Sequence, residues 1–202
     1  MTRHAGIGDE DRQRADLYNF LGVVLARPPD GLMLDQMAAL KGQGGTIGAA
    51  IDALAAKADG LRAEAAAREF DALFVGLGRG ELLPYASYYL TGFLNEKPLA
   101  LLRQDMAARG LARSDTVYEP EDNVASLMEM MGALIVGRFG PPAPLDEQRT
   151  FFNRHVAPWG VHFFTDLEAA RTADLYRPVA ALGRAFLTVE VEAFRLSAGE
   201  PA

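Results

Sequence analysis

The segment YEPEDNVASLMEMMGALIV, residues 118–136, joins a helix start to a long apolar helix. Pro120 suits the first helical position, where its missing N–H costs nothing. Glu119, Glu121 and Asp122 then place negative charge at the positive end of the helix dipole. Behind them Val124, Leu127, Met128, Met131, Leu134 and Ile135 recur at three- and four-residue spacing, which predicts one apolar helical face. Two readings follow. The simpler is a well-started core helix; the sharper is an acidic mouth that opens on a groove and binds something.

Working outward, the same periodicity continues on both sides. Residues 10–26 predict a first helix with Leu17, Phe20, Leu21, Val24 and Leu25 inward, stopped by Arg27-Pro28-Pro29. A short helix at 32–40 precedes a glycine-punctuated turn at Gly42, Gly44, Gly45 and Gly48. Residues 51–74 are alanine-rich and helical in propensity, with a break near Asp59-Gly60. After a glycine- and aromatic-rich loop, order resumes around Tyr85–Leu90, and Pro98–Arg109 is amphipathic, ended by Gly110. The central helix is expected to run to about Phe139, where Gly140-Pro141-Pro142 ends it. Helices at 145–155, from Trp159 to about Thr172, and at 174–196 complete the chain. No run of alternating strands and no fixed-period repeat is visible. The expectation is an all-α fold, a single globular bundle of roughly eight to eleven helices over residues 1–202, given ordinary helix lengths.

Composition narrows the function classes. The 202 residues are half hydrophobic and 23% charged, which is globular rather than disordered. A net charge of −7 argues against nonspecific nucleic-acid binding and favours a cationic partner. The absence of cysteine removes disulfides, thiolate metal sites and cysteine nucleophiles. The N-terminus MTRHAGIGDEDRQRAD lacks a signal peptide's apolar run, and no stretch reaches the roughly 18 apolar residues of a membrane span. These features predict a cytoplasmic chain.

Three constellations carry chemistry on paper. Gly76, Gly78 and Gly80 in VGLGRGE superficially resemble a phosphate loop, but they do not fit GxGxxG and lack a preceding strand. Their simpler role is a turn that lets Pro84 and Tyr85 approach another helix. His155, His162 and Asp166 could share a helical face as metal ligands, but Pro158 and Gly160 interrupt that helix. The simpler reading of His155 is a hydrogen-bonded residue at a helix end. Glu119, Glu121 and Asp122 could serve acid–base catalysis, yet no nucleophile motif accompanies them. Met128, Met130 and Met131 fit core filling and also an adaptable peptide groove.

Four blocks in order resemble the TorD/DmsD (NarJ-like) family of redox-enzyme maturation chaperones. They are FDALFVGLGRGELLPYASYYL at 70–90, PLALLRQDMAARGL at 98–111, Glu119-Pro120-Glu121-Asp122-Asn123, and FFNRHVAPWGVHFF at 151–164. The third is similar to the family's Glu-Pro-x-Asp-His, with Asn123 in place of the histidine. Asn123 keeps a hydrogen-bonding side chain but cannot titrate. Tyr85 stands where relatives often carry tryptophan. The resemblance implies an all-helical chaperone with no catalytic residues, metal or cofactor of its own. Its partner would be the twin-arginine signal peptide, or the apo form, of a molybdenum or tungsten oxidoreductase subunit, held from export until cofactor insertion. Molybdenum cofactor machinery is a further implied partner. The matching positions give a peptide-binding set of Pro84, Tyr85, Ser87, Tyr88, Glu119, Pro120, Asp122 and Asn123. Two guanidinium groups would pair with the carboxylates, and an apolar segment would lie in the groove. An assembly factor that binds the mature part of a metalloenzyme is the alternative, with a nucleotide-binding switch behind it. The linker Leu111–Glu119 is a candidate hinge for an exchanged dimer.

Overall fold

The first helix, α1 (Asp9–Ala26), lies along the central helix, α7 (Val124–Val136), and this pair forms the axis of the molecule. A glycine on each helix permits the close approach. A Cβ on Gly22 would come within 2.7 Å of Glu129 Cγ and 3.2 Å of the Glu129 nitrogen; one on Gly132 would meet Asn19 Oδ1 at 2.6 Å. The six apolar residues of α7 that the periodicity singles out are all buried, each worth roughly 1.5 to 3 kcal/mol on transfer from water.

The computed structural model describes residues 7–111 and 119–199. The candidate hinge at Leu111–Glu119 lies almost wholly outside the described residues. The remaining helices are α2 (Gly31–Ala38), α3 (Gly45–Ala58), α4 (Ala63–Phe70), α5 (Ala86–Thr91), α6 (Lys97–Ala108), α8 (Leu145–His155), α9 (Gly160–Ala169) and α10 (Tyr176–Ser197). A π-helical turn, Asp71–Val75, continues α4. The described residues thus hold ten α-helices and no strand, in line with the expected all-α bundle. None of these helices is long and apolar enough to cross a membrane.

The core is aromatic. Trp159, Tyr18, Tyr176, Phe152, Phe163, Phe164 and Phe194 are among its largest fully buried side chains. α10 runs against α9 and α3. It is fixed to α1 by a polar cluster. Arg14 donates from Nε and Nη2 to the two oxygens of Glu190, each at 2.8 Å, and Tyr18 donates to Glu190 Oε2 at 2.9 Å.

Three expected boundaries are corrected. α7 ends at Val136, not near Phe139, because Gly137 turns left-handed at φ 74° and closes the helix. α9 ends at Ala169 rather than Thr172. The start of α7 differs most. Pro120 is not its first residue, and Glu119, Glu121 and Asp122 are not in its first turn. Asn123 is the N-cap and its Oδ1 accepts from Ala125 N at 2.9 Å. The carboxylates before it belong to a turn closed by Asn123 N donating to Pro120 O at 3.1 Å, so they do not serve as dipole compensation at the helix start.

Candidate functional site

The starts of α5 and α7 are tied to each other. Val124 N donates to Pro84 O at 2.8 Å, and Ala86 N donates to Asp122 O at 2.9 Å, around an antiparallel bridge between Tyr85 and Asn123. Asp122 Oδ2 accepts from Ser87 N at 2.8 Å, so it caps α5 from another segment. Each helix start therefore satisfies donors that its partner's loop faces, which is why Pro84-Tyr85 and Asp122-Asn123 are held as one unit.

A second rigid wall comes from the π-helical turn. Phe70 and Phe74 meet edge-to-face at 5.1 Å between ring centroids, and Phe74 packs on Tyr176 at 5.5 Å. The chain then reverses through Gly76, whose Cβ would lie 2.0 Å from Arg79 O, so no side chain fits. Two carboxylates clamp this wall to the start of α10. Glu69 accepts from Asp174 N, Leu175 N and Tyr176 N at 2.7, 3.1 and 2.8 Å. Glu81 accepts from Thr172 Oγ1 at 2.7 Å and from Arg171 N at 2.8 Å. The bonds from Thr172 and Arg171 pull the Glu81 carboxyl down to about 2. The glycine loop is thus engaged in closing the wall, the turn-forming role that its residues suggest.

Between the two walls and the last turn of α1 lies a cleft of about 590 Å³. Its apolar and aromatic lining is Leu25, Phe70, Phe74, Val75, Pro84 and Tyr85. Its polar lining is Glu119, Asn123, Ser126 and Glu129, and no Lys, Arg or His among the described residues lines it. The Tyr85 hydroxyl donates to the Glu119 carboxylate, and Asn123 Nδ2 donates to Glu119 Oε1 at 3.0 Å. Burial first, then the Glu119 partner, pushes the Tyr85 phenol above its ordinary value, so it stays a proton donor.

Of the eight residues expected to bind peptide, the cleft lining includes Pro84, Tyr85, Glu119 and Asn123. The other four do not line it. Ser87 and Asp122 are buried behind it and bonded to each other. Asp122 Oδ1 is buried with no hydrogen-bond partner among the described residues. Pro120 is half-buried in the preceding turn. Tyr88 is turned to Arg79, which donates to its hydroxyl at 2.8 Å and lies 5.3 Å over its ring. Glu121 accepts two bonds from Arg103, at 3.0 and 2.8 Å. Glu121 and Asp122 are therefore structural carboxylates engaged within the chain. Sequence reasoning passed over Glu129 and Ser126. Their signal was present: Glu129 is the one charged residue in VASLMEMMGALIV and lies six positions from Asn123.

His155 ends α8 and is buried. Its Nε2 donates to Asp105 Oδ2 at 2.7 Å. Burial lowers its pKa, against the pull of Asp105. His162 is exposed, and no group of three His, Asp or Glu among the described residues is placed to hold a metal.

Residues 43–165 match the family model described as nitrate reductase delta subunit. The chain is 26% identical over 205 residues to the chaperone protein TorD of Vibrio atlanticus, covering 90% of this chain and 94% of that one. It is 29% identical over 128 residues to the chaperone protein TorD of Vibrio cholerae, covering 60% of this chain and 58% of the other. Its fold is similar to the crystal structure of a protein of Archaeoglobus fulgidus assigned to redox enzyme maturation. That match has a TM-score of 0.57 and 22% identity, and covers 87% of this chain and 93% of the other.

Proposed function

Since the chain belongs to the nitrate reductase delta subunit family, we propose that it is a non-catalytic chaperone that holds a redox-enzyme subunit during maturation. The finer reading is that it binds the twin-arginine signal peptide of a molybdenum or tungsten oxidoreductase and delays export until the cofactor is inserted. One observation carries this: the cleft at the end of α1 joins aromatic side chains to carboxylates, with no cation among its described lining residues. A peptide with guanidinium groups followed by an apolar stretch complements both parts. The net charge of −7 assists the encounter.

Titration of the protein with a labelled twin-arginine leader tests the proposal. The leader should bind more tightly than its Lys-Lys counterpart, and binding should weaken as salt is raised. Tyr85→Ala, which removes a cleft wall and the donor to Glu119, should weaken it by about tenfold or more. Equal affinity for the Lys-Lys peptide would remove the main support for the finer reading. A second reading, contact with the mature part of the enzyme, is favoured by a different feature. Leu90 at the end of α5 and Phe93 and Leu94 just after it are exposed within five residues, Phe93 at 70%. Binding of a leader-deleted partner that is lost in Phe93→Ser would support it.

A further inference from the structure

Four carboxylates lie in or beside the cleft, and three are committed to the chain's own groups. Glu119 accepts from Tyr85 and Asn123, Glu121 from Arg103, and Asp122 from Ser87 N. Glu129 is different. It projects from α7 into the cleft lining and makes no hydrogen bond or ion pair with any described residue. Its stem nonetheless packs closely on α1, with Glu129 Cγ only 2.7 Å from where a Cβ on Gly22 would stand. A carboxylate on a closely packed stem, beside aromatic side chains, is matched by a planar cation that can accept both a bidentate grip and ring contact. Lysine offers the charge without the plane or the fork.

We propose that Glu129 is the specificity-determining residue of this cleft, gripping an arginine guanidinium of the bound segment. The inference rests on the peptide-binding reading above and assigns the arginine preference to one residue outside the Glu119–Asn123 turn. That turn and Glu129 are separated along α7 by about 9 Å, six residues at the helical rise. The two ends of the cleft therefore present different acids: Glu119, already bridged by Tyr85 and Asn123, and Glu129, open.

The experiment is a double-substitution cycle read by fluorescence anisotropy. The probe is a peptide with two adjacent arginines followed by about ten apolar residues, the length that suits a groove-bound helix. Variants of the probe replace one or both arginines by lysine or glutamine. Glu129→Gln keeps size and removes charge at an exposed position, and its thermal midpoint should match that of the wild type. It should bind the arginine probe about tenfold more weakly and lose the preference of arginine over lysine. The glutamine probe should bind wild type and Glu129→Gln alike. An unchanged affinity in Glu129→Gln, with the wild type binding the arginine probe tightly, overturns this inference and leaves the peptide-binding reading standing. No binding by the wild type overturns both.

Discussion

Two clefts of similar size are lined by the two ends of α1. The one at its N-terminal half has a volume of about 660 Å³ and includes Arg14, Leu17, Leu145, Gln148, Val189 and Glu190; the one at its last turn has about 590 Å³. Volume does not separate them. In the first, the chain supplies its own arginine. Arg14 is gripped by both oxygens of Glu190, bonded to Gln148 Oε1 at 3.1 Å, and lies 5.3 Å over the ring of Phe194. In the second, the carboxylate and the aromatic rings are present and no arginine stands among the described lining residues. The first cleft therefore displays, as internal architecture, the arrangement that the proposed arginine ligand would complete in the second. Pairing, not concavity, distinguishes scaffold from site.

The comparison breaks if Glu190 can be removed cheaply. Its side chain is 3% exposed and that of Arg14 is 15%. Glu190→Ala leaves the Tyr18 hydroxyl and the Nε and Nη2 donors of a nearly buried guanidinium without their acceptor, with Arg14 keeping only Asp11 at 2.8 Å and Gln148. The expected loss is about 3 to 5 kcal/mol of folding stability, measured by urea denaturation. The folded fraction should bind the arginine probe with wild-type affinity. A loss near zero would place Arg14 in solvent and cancel the contrast between the clefts.

A smaller effect concerns how the proposed binding cleft is held. The wall formed by Phe70–Val75 depends on carboxylates whose acceptors are taken by the α9–α10 connection. Glu81 is the one whose acidity records this, lowered from 4.5 to about 2 by hydrogen bonds led by Thr172. A carboxyl whose folded pKa is depressed contributes stability above its unfolded pKa and loses it as pH falls to the folded value. At a part-exposed position the contribution is about 1 kcal/mol. Glu81→Gln should therefore be less stable than the wild type by about that amount at neutral pH. The difference should shrink between pH 4.5 and about 2. A gap that stays constant through that window would show that the Glu81 charge does not support the wall.

Much of this architecture was legible in the residues. The apolar spacing of α7, the stop at Arg27-Pro28-Pro29 and the Asp59-Gly60 break are local patterns, and the helices follow them. Arg14, Tyr18 and Glu190 gave no such signal, because their partners are 172 and 176 positions apart in the chain. The helix start misled for another reason. Pro120 and three acids form a sound N-terminal signature, but Asn123 is also a strong cap. The exchange of bonds with Pro84 and Ala86, a tertiary feature, decided between them. The same exchange places Asp122 inward, where its Oδ2 accepts from Ser87 N.

The smallest effect concerns the one departure from the Glu-Pro-x-Asp-His pattern. Asn123 does two things at once: Oδ1 caps α7 through Ala125 N, and Nδ2 donates to Glu119. A histidine at this position can keep the second role but caps a helix less well. Asn123→His should therefore cost about 0.5 to 1 kcal/mol of stability. Its more informative consequence is titration. Asparagine has no proton to gain, whereas an imidazole beside Glu119 takes one as pH falls through about 6.5. The resulting cation would sit in a cleft whose open carboxylate faces the incoming guanidinium, and it would oppose that group. The affinity of Asn123→His for the arginine probe, relative to wild type, should thus decline from about pH 8 to about pH 6, while the glutamine probe is affected less. A pH-independent ratio would mean that position 123 acts only as a cap and that the electrostatics of the cleft reside wholly at Glu129.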